Sequence, residues 1–89
     1  MKAVISVVGK DRTGILAFVS NECLDYGANI VDVSQTVLQD VFNMFMIVEI
    51  NKNTDGFVEF VNHMEEKGKA NNLVIHVMHE DIFNAMHTI

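Results

Sequence analysis

Residues 9–15 read Gly-Lys-Asp-Arg-Thr-Gly-Ile, a short polar turn holding an acid and a base with a glycine near each end. An apolar strand-like run, Val7-Val8, stops at Gly9, and a helical pattern begins directly after the turn. The first N–H groups of a helix have no partner inside it and carry the positive end of its dipole, so a turn of this kind can hold a small charged ligand. Asp11 has two readings. It caps the first helix and fixes the turn, or it accepts hydrogen bonds from a ligand ammonium while helix N–H groups bind a carboxylate. Arg12 is a carboxylate partner or a solvated surface arginine. Gly14 allows close approach of backbone or ligand at the helix start.

Other chemistry is excluded or weak. Gly9 and Gly14 have the G-x4-G spacing of a phosphate loop, but Ile15-Leu16 follow where that loop needs Lys and Ser or Thr. A metal site needs several converging ligands. The four histidines are His63, His76, His79 and His87, with one cysteine, and they lack that spacing, so no metal and no cofactor are expected. His76 and His79 fall on opposite faces of a strand, and His63 is placed on the exposed side of the second helix. Cys23 lies on an apolar helical stripe with no activating base nearby and reads as a buried, inert thiol. Asp25, Asp32, Asp40 and Glu49 show no paired-carboxylate spacing, and Ser20 and Ser34 have no nucleophile-type context. No catalytic group is identified, so an enzyme is not expected.

The elements that position the turn follow from periodicity. Residues 2–8 read as a buried strand. Ile15, Leu16, Val19, Cys23 and Tyr26 follow helical spacing between Thr13 and Tyr26, with Asp11 as the expected N-cap and Gly27 as the residue that ends the helix. Residues 29–50 read as a hairpin turning at Gln39-Asp40, although that is not a favoured turn pair. One face then pairs Val37 with Phe42, Gln35 with Met44, Val33 with Met46 and Val31 with Val48. The other pairs Thr36 with Asn43, Ser34 with Phe45, Asp32 with Ile47 and Ile30 with Glu49. A slip of one residue would destroy this sorting. A second helix starts at Asn53-Thr54, buries Phe57, Phe60, Val61 and Met64, and ends at Gly68. A last strand is expected from Asn71 to His79, around Leu73-Val74-Ile75. Residues 81–89 form a short helical tail with Ile82, Phe83 and Met86 on one side. The order β-α-β-β-α-β predicts an α+β, ferredoxin-like sandwich: a four-stranded antiparallel sheet with two helices on one face, over residues 1–80, followed by the tail. The mixed hairpin face is left open, or covered by the tail or another subunit.

Composition narrows the partners. The chain has 89 residues and a net charge of −6, and its basic residues are scattered, which argues against nucleic-acid binding. No apolar run approaches the ~20 residues of a membrane span, and the N-terminus lacks a cleavage-type signal. One cysteine suits a reducing, cytoplasmic setting. A core of this size gains from burial in an oligomer, and apolar residues occupy both strand phases, so a homodimer is expected.

Three stretches, Gly9-Lys10-Asp11-Arg12-Thr13-Gly14-Ile15, Gly27-Ala28-Asn29-Ile30-Val31-Asp32, and Ser34-Gln35-Thr36 with Phe42-Asn43-Met44, resemble in that order the ACT domain, a regulatory module that often binds amino acids. The likeness covers residues 1–80 and is strongest to small stand-alone ACT proteins of prokaryotes. Similar stretches open formyltetrahydrofolate deformylase and occur in glycine-cleavage repressor-like proteins. No residues are left here for a deformylase domain, so that activity is not expected. The resemblance implies a ligand held between two domains, the first turn of one facing the second-strand region of its neighbour. It implies that Asp11 and Asn29 match polar ligand-holding positions and that Gly14 leaves room. The implied site is Asp11, Arg12, Thr13, Gly14, Ile15, Asn29 and Ile30. An acid at Asp11, where some members carry asparagine, suits a ligand ammonium. The expected function is a non-enzymatic sensor of an amino acid or similar metabolite. The rival is a ligand-free protein-interaction module that uses the mixed sheet face and the tail.

Overall fold

The structure, a computed structural model, describes residues 1–51 and 53–86. It contains β1 (Lys2–Lys10), α1 (Ile15–Asp25), β2 (Asn29–Leu38), β3 (Val41–Glu49), α2 (Thr54–Ala70), β4 (Leu73–His79) and α3 (Glu80–Met86). The four strands form one antiparallel sheet in the order β2-β3-β1-β4. This is the ferredoxin-like arrangement expected from the element order. His87 and the rest of the tail to Ile89 lie outside the described residues.

Period-two alternation builds the core. Ala3, Ile5 and Val7 of β1, Phe42, Met44, Met46 and Val48 of β3, and Leu73, Ile75 and Val77 of β4 are all buried on one face. Against them lie Ile15, Val19 and Cys23 of α1 and Phe60 and Met64 of α2, in a single cluster. The opposite face carries the second phase, including Val4, Ser6, Phe45, His76 and Met78, and α3 lies over it.

Local chemistry explains most boundaries. Gly27, at φ +70°, ends α1 with a paired closure. Its N–H donates to the Leu24 carbonyl at 3.0 Å and the Ala28 N–H donates to the Cys23 carbonyl at 2.9 Å. Asn53 caps α2, its Oδ1 accepting from the Gly56 N–H at 2.8 Å. Gly68, expected to end α2, does not. The helix runs on to Ala70, and Gly68 is a point of close approach, where a Cβ would lie 2.8 Å from Ile75 Cγ1 and 2.9 Å from the Leu73 carbonyl oxygen. β1 likewise continues through Gly9 to Lys10.

The hairpin turns at Gln39-Asp40, whose φ values of 50° and 67° are both left-handed, the geometry that matches strand twist in a two-residue turn. The expected register holds from Val37↔Phe42 to Asp32↔Ile47. Beyond it a bulge at Val31 shifts the pairs to Ile30↔Val48 and Asn29↔Glu49.

Candidate functional site

The β1–α1 turn occupies residues 11–14, all exposed. Its N-cap is Gly14, at φ +91°, and no side chain caps α1. Asp11 therefore does not have the capping role expected of it. A capping oxygen must come from the N-cap residue, and the left-handed turn at Gly14 delays the helix to Ile15. Asp11 instead anchors the turn through its backbone, its N–H donating to the Asp40 carbonyl at 2.8 Å. That bond ties the turn to the tip of the β2–β3 hairpin. Neither the Asp11 carboxylate nor the Arg12 guanidinium makes a hydrogen bond or ion pair with another described residue. The first turn of α1 carries no acidic residue. An exposed, unpaired acid thus belongs to the turn that leads into helix N–H groups no side chain covers.

Five of the seven expected site residues, Asp11, Arg12, Thr13, Gly14 and Ile15, are contiguous here. Ile15 is buried in the core at 2% exposure, so only its backbone faces the turn. Asn29 and Ile30 are elsewhere. Lys2 pairs with Glu49, which pairs with Asn29, whereas Lys10 pairs with Val41 at the hairpin tip. Asn29 and the turn therefore lie at opposite ends of the sheet, separated by roughly 25 Å at the rise of an extended strand. Within one chain the two groups do not meet.

Two clusters escaped sequence reasoning. Glu22, 9% exposed, lies between α1 and α2, its Oε2 3.1 Å from His63 Nε2 and its Oε1 3.7 Å from Lys67 Nζ. His63 also lies against the Tyr26 ring at 4.6 Å. His63 is thus half-buried and paired, not on an exposed helix side. The readable signal was an acid on the apolar stripe of Ile15, Val19 and Cys23. The second cluster is a cavity of about 210 Å³ on the face away from α1 and α2, lined by Val4, Ser6, Phe45, His76, Met78 and Phe83.

Cys23 is fully buried, and burial, with the adjacent Glu22 carboxylate second, pushes its thiol up to about 11. The inert-thiol expectation agrees with that. His76 and His79 fall on opposite faces as expected, His76 on the cavity and His79 edge-on to Phe57. Among the described residues no group of three metal-ligating side chains comes together, and no helix is long and apolar enough to cross a membrane.

Antiparallel strands in this order, with both long helices on one face, define a ferredoxin-like α+β sandwich. The chain belongs to the ACT domain family, whose model matches residues 2–78. It is 44% identical over 89 residues to a UPF0237 protein of Listeria innocua, covering all of both chains. An ACT domain protein from Streptococcus pneumoniae superposes with a TM-score of 0.83 at 42% identity, with 98% of each chain covered. A formyltetrahydrofolate deformylase from Pseudomonas putida superposes with a TM-score of 0.78 over 91% of this chain and 29% of its own, and at 8% identity it shares the fold alone.

Proposed function

We propose that this chain is a non-enzymatic regulatory module that acts as a homodimer in the cytoplasm and binds an amino acid or similar small metabolite between subunits. The observation that carries the reading is the first turn of α1, which no side chain caps, preceded in the same exposed turn by the unpaired Asp11 carboxylate. A ligand carboxylate accepts from the helix N–H groups, and its ammonium donates to Asp11. Gly14 presents no side chain and has open space around it. Arg12 and Thr13 edge the same turn.

Topology supports the second subunit. β2 is an edge strand whose residues are almost all exposed, with unpaired backbone groups along one side. When two such edges pair about a two-fold axis the strands run antiparallel, and the Asn29 end of one meets the hairpin-tip end of the other. That brings the partner's Asn29 and Ile30 toward the end of the sheet where the turn is pinned to Asp40. A ligand bridging the two subunits stabilises one dimer arrangement and so shifts what the dimer contacts. The packing of α3 on its own sheet weighs against the rival, a free protein-interaction face.

The test is a thermal-shift screen against the common amino acids and a few one-carbon metabolites. One of them should raise the midpoint in a dose-dependent way, by the equivalent of about 2.7 kcal/mol at a hundredfold excess over Kd. Asp11→Ala and Asn29→Ala should each abolish the rise. If both variants respond like the parent chain, the site is elsewhere. If no compound shifts the midpoint, the interaction module becomes the better reading.

A further inference from the structure

We propose that the open face of the sheet carries a second site, one that takes a small, uncharged, ring-bearing molecule with a single hydrogen-bonding group. The site is the cavity of about 210 Å³ under α3. Its floor spans three strands. Phe45, Ser6 and His76 form one cross-strand row, because Ser6 pairs with both of the others, and Val4 and Met78 pair in the row beside it. Phe83 of α3 rises against Phe45, ring centroids 6.2 Å apart and tilted by 58°, and closes one side. Val4 at the bottom is 4% exposed while Phe45 keeps 47%, so the site is deep at the sheet and open at its rim.

Chemistry and size select the occupant. Four of the six described lining side chains are apolar, and among the described residues the lining holds no lysine, arginine or acid. A zwitterionic amino acid would find no lysine, arginine or carboxylate among the described lining residues to balance either of its charges, so this ligand differs in class from the one proposed at the turn. The two polar groups, the Ser6 hydroxyl and the His76 imidazole, are direct cross-strand neighbours, about 5 Å apart at Cβ. Neither makes a hydrogen bond with another described residue. They offer one donor–acceptor pair to a ligand N–H or O–H. An apolar cavity of about 150 Å³ takes up benzene, so this one has room for a fused or substituted ring, and it falls short of the ~300 Å³ at which drug-sized pockets begin. Indole and phenol are molecules of the required kind.

Indole is the probe. Titrated into the 15N-labelled full chain, it should give saturable backbone shifts at residues 4–6, 45 and 76–78 and along α3, with little change at residues 11–14. Ser6→Ala should weaken binding about 2- to 10-fold, the range of one neutral hydrogen bond. Ser6→Leu, which fills the cavity, should abolish it. Should that variant unfold, Phe83→Ala removes only a half-buried wall and should weaken binding severalfold in a folded chain. Asp11→Ala should leave indole binding unchanged, so failure at the turn and failure here are distinguishable. Non-saturating shifts up to the solubility limit of indole, or shifts centred on the turn, would overturn the proposal. So would shifts at Phe45 and α3 on protein dilution with none on adding indole, which would assign the face to a second copy of the chain.

Discussion

Cys23 shows how one residue's surroundings set its chemistry. Its thiol sits in the fully buried stripe of α1, and the proton is held there to about 11, against an ordinary 9.0. The nucleophile is the thiolate, so the native thiol should resist Ellman's reagent at pH 8 and react only as fast as the protein opens. Labelling as fast as in urea would mean that the stripe is not closed. The same shift has a pH consequence. The folded value lies above the unfolded one, so the unfolded chain releases this proton first as pH rises. The stabilisation is whole below pH 9.0 and is lost progressively toward about 11. Urea midpoints of Cys23→Ala should therefore fall less steeply over that interval than those of the parent chain, whatever the variant's lower overall stability. Equal slopes in the two proteins would remove Cys23 from the alkaline limb.

At the scale of elements, Gly68 gives a case in which helix propensity and packing oppose each other. Alanine is favoured over glycine inside a helix by roughly 0.5–1 kcal/mol. At Gly68 the added Cβ would meet the Leu73 carbonyl oxygen at 2.9 Å, and that backbone belongs to β4. Overpacking of this kind costs about 1–3 kcal/mol, so packing wins and Gly68→Ala should lower the urea-derived stability. A more stable variant would show that α2 can lift off β4 at no cost. The same position shows what the sequence hides. A glycine late in a helical run looks like a terminator, and only the approach of β4 reveals why it is there. The hairpin was legible from Val37 to Asp32 because a slip exchanges apolar for polar residues along a whole face. The bulge at Val31 was not legible, since Ile30 and Val31 are both apolar and exchanging them leaves no trace in the pattern. The turn motif at residues 11–14 could be read directly. That Asp11 leaves the helix uncapped could not, because Gly14's left-handed φ moves the helix start. The open-face cavity depends on α3 folding back over β1 and β4; the apolar side of the tail allowed that cover, but no local signal chose it over an open face or another subunit.

At the scale of the whole molecule, the position of Asn29 requires a second chain if it is to join Asp11 in one site. The strand ladder puts the two at opposite ends of a single sheet, whereas two-fold pairing of exposed β2 edges gives a dimer with two equivalent composite sites. Each site then takes its turn from one chain and its Asn29 from the other. In an Asp11→Ala homodimer both sites lack the acid, and in an Asn29→Ala homodimer both lack the amide. A mixed dimer behaves differently. One of its sites combines both substitutions, and the other combines two intact halves. Subunits exchanged at equal amounts give mixed dimers in about half of the population, so about a quarter of all sites should recover binding. Isothermal titration of the exchanged mixture with the amino acid identified by the thermal screen should show that stoichiometry at the parent affinity, although each variant alone binds nothing. If mixing restores no binding while sedimentation shows that the subunits have exchanged, the site does not bridge two chains, and Asn29 serves only the start of β2.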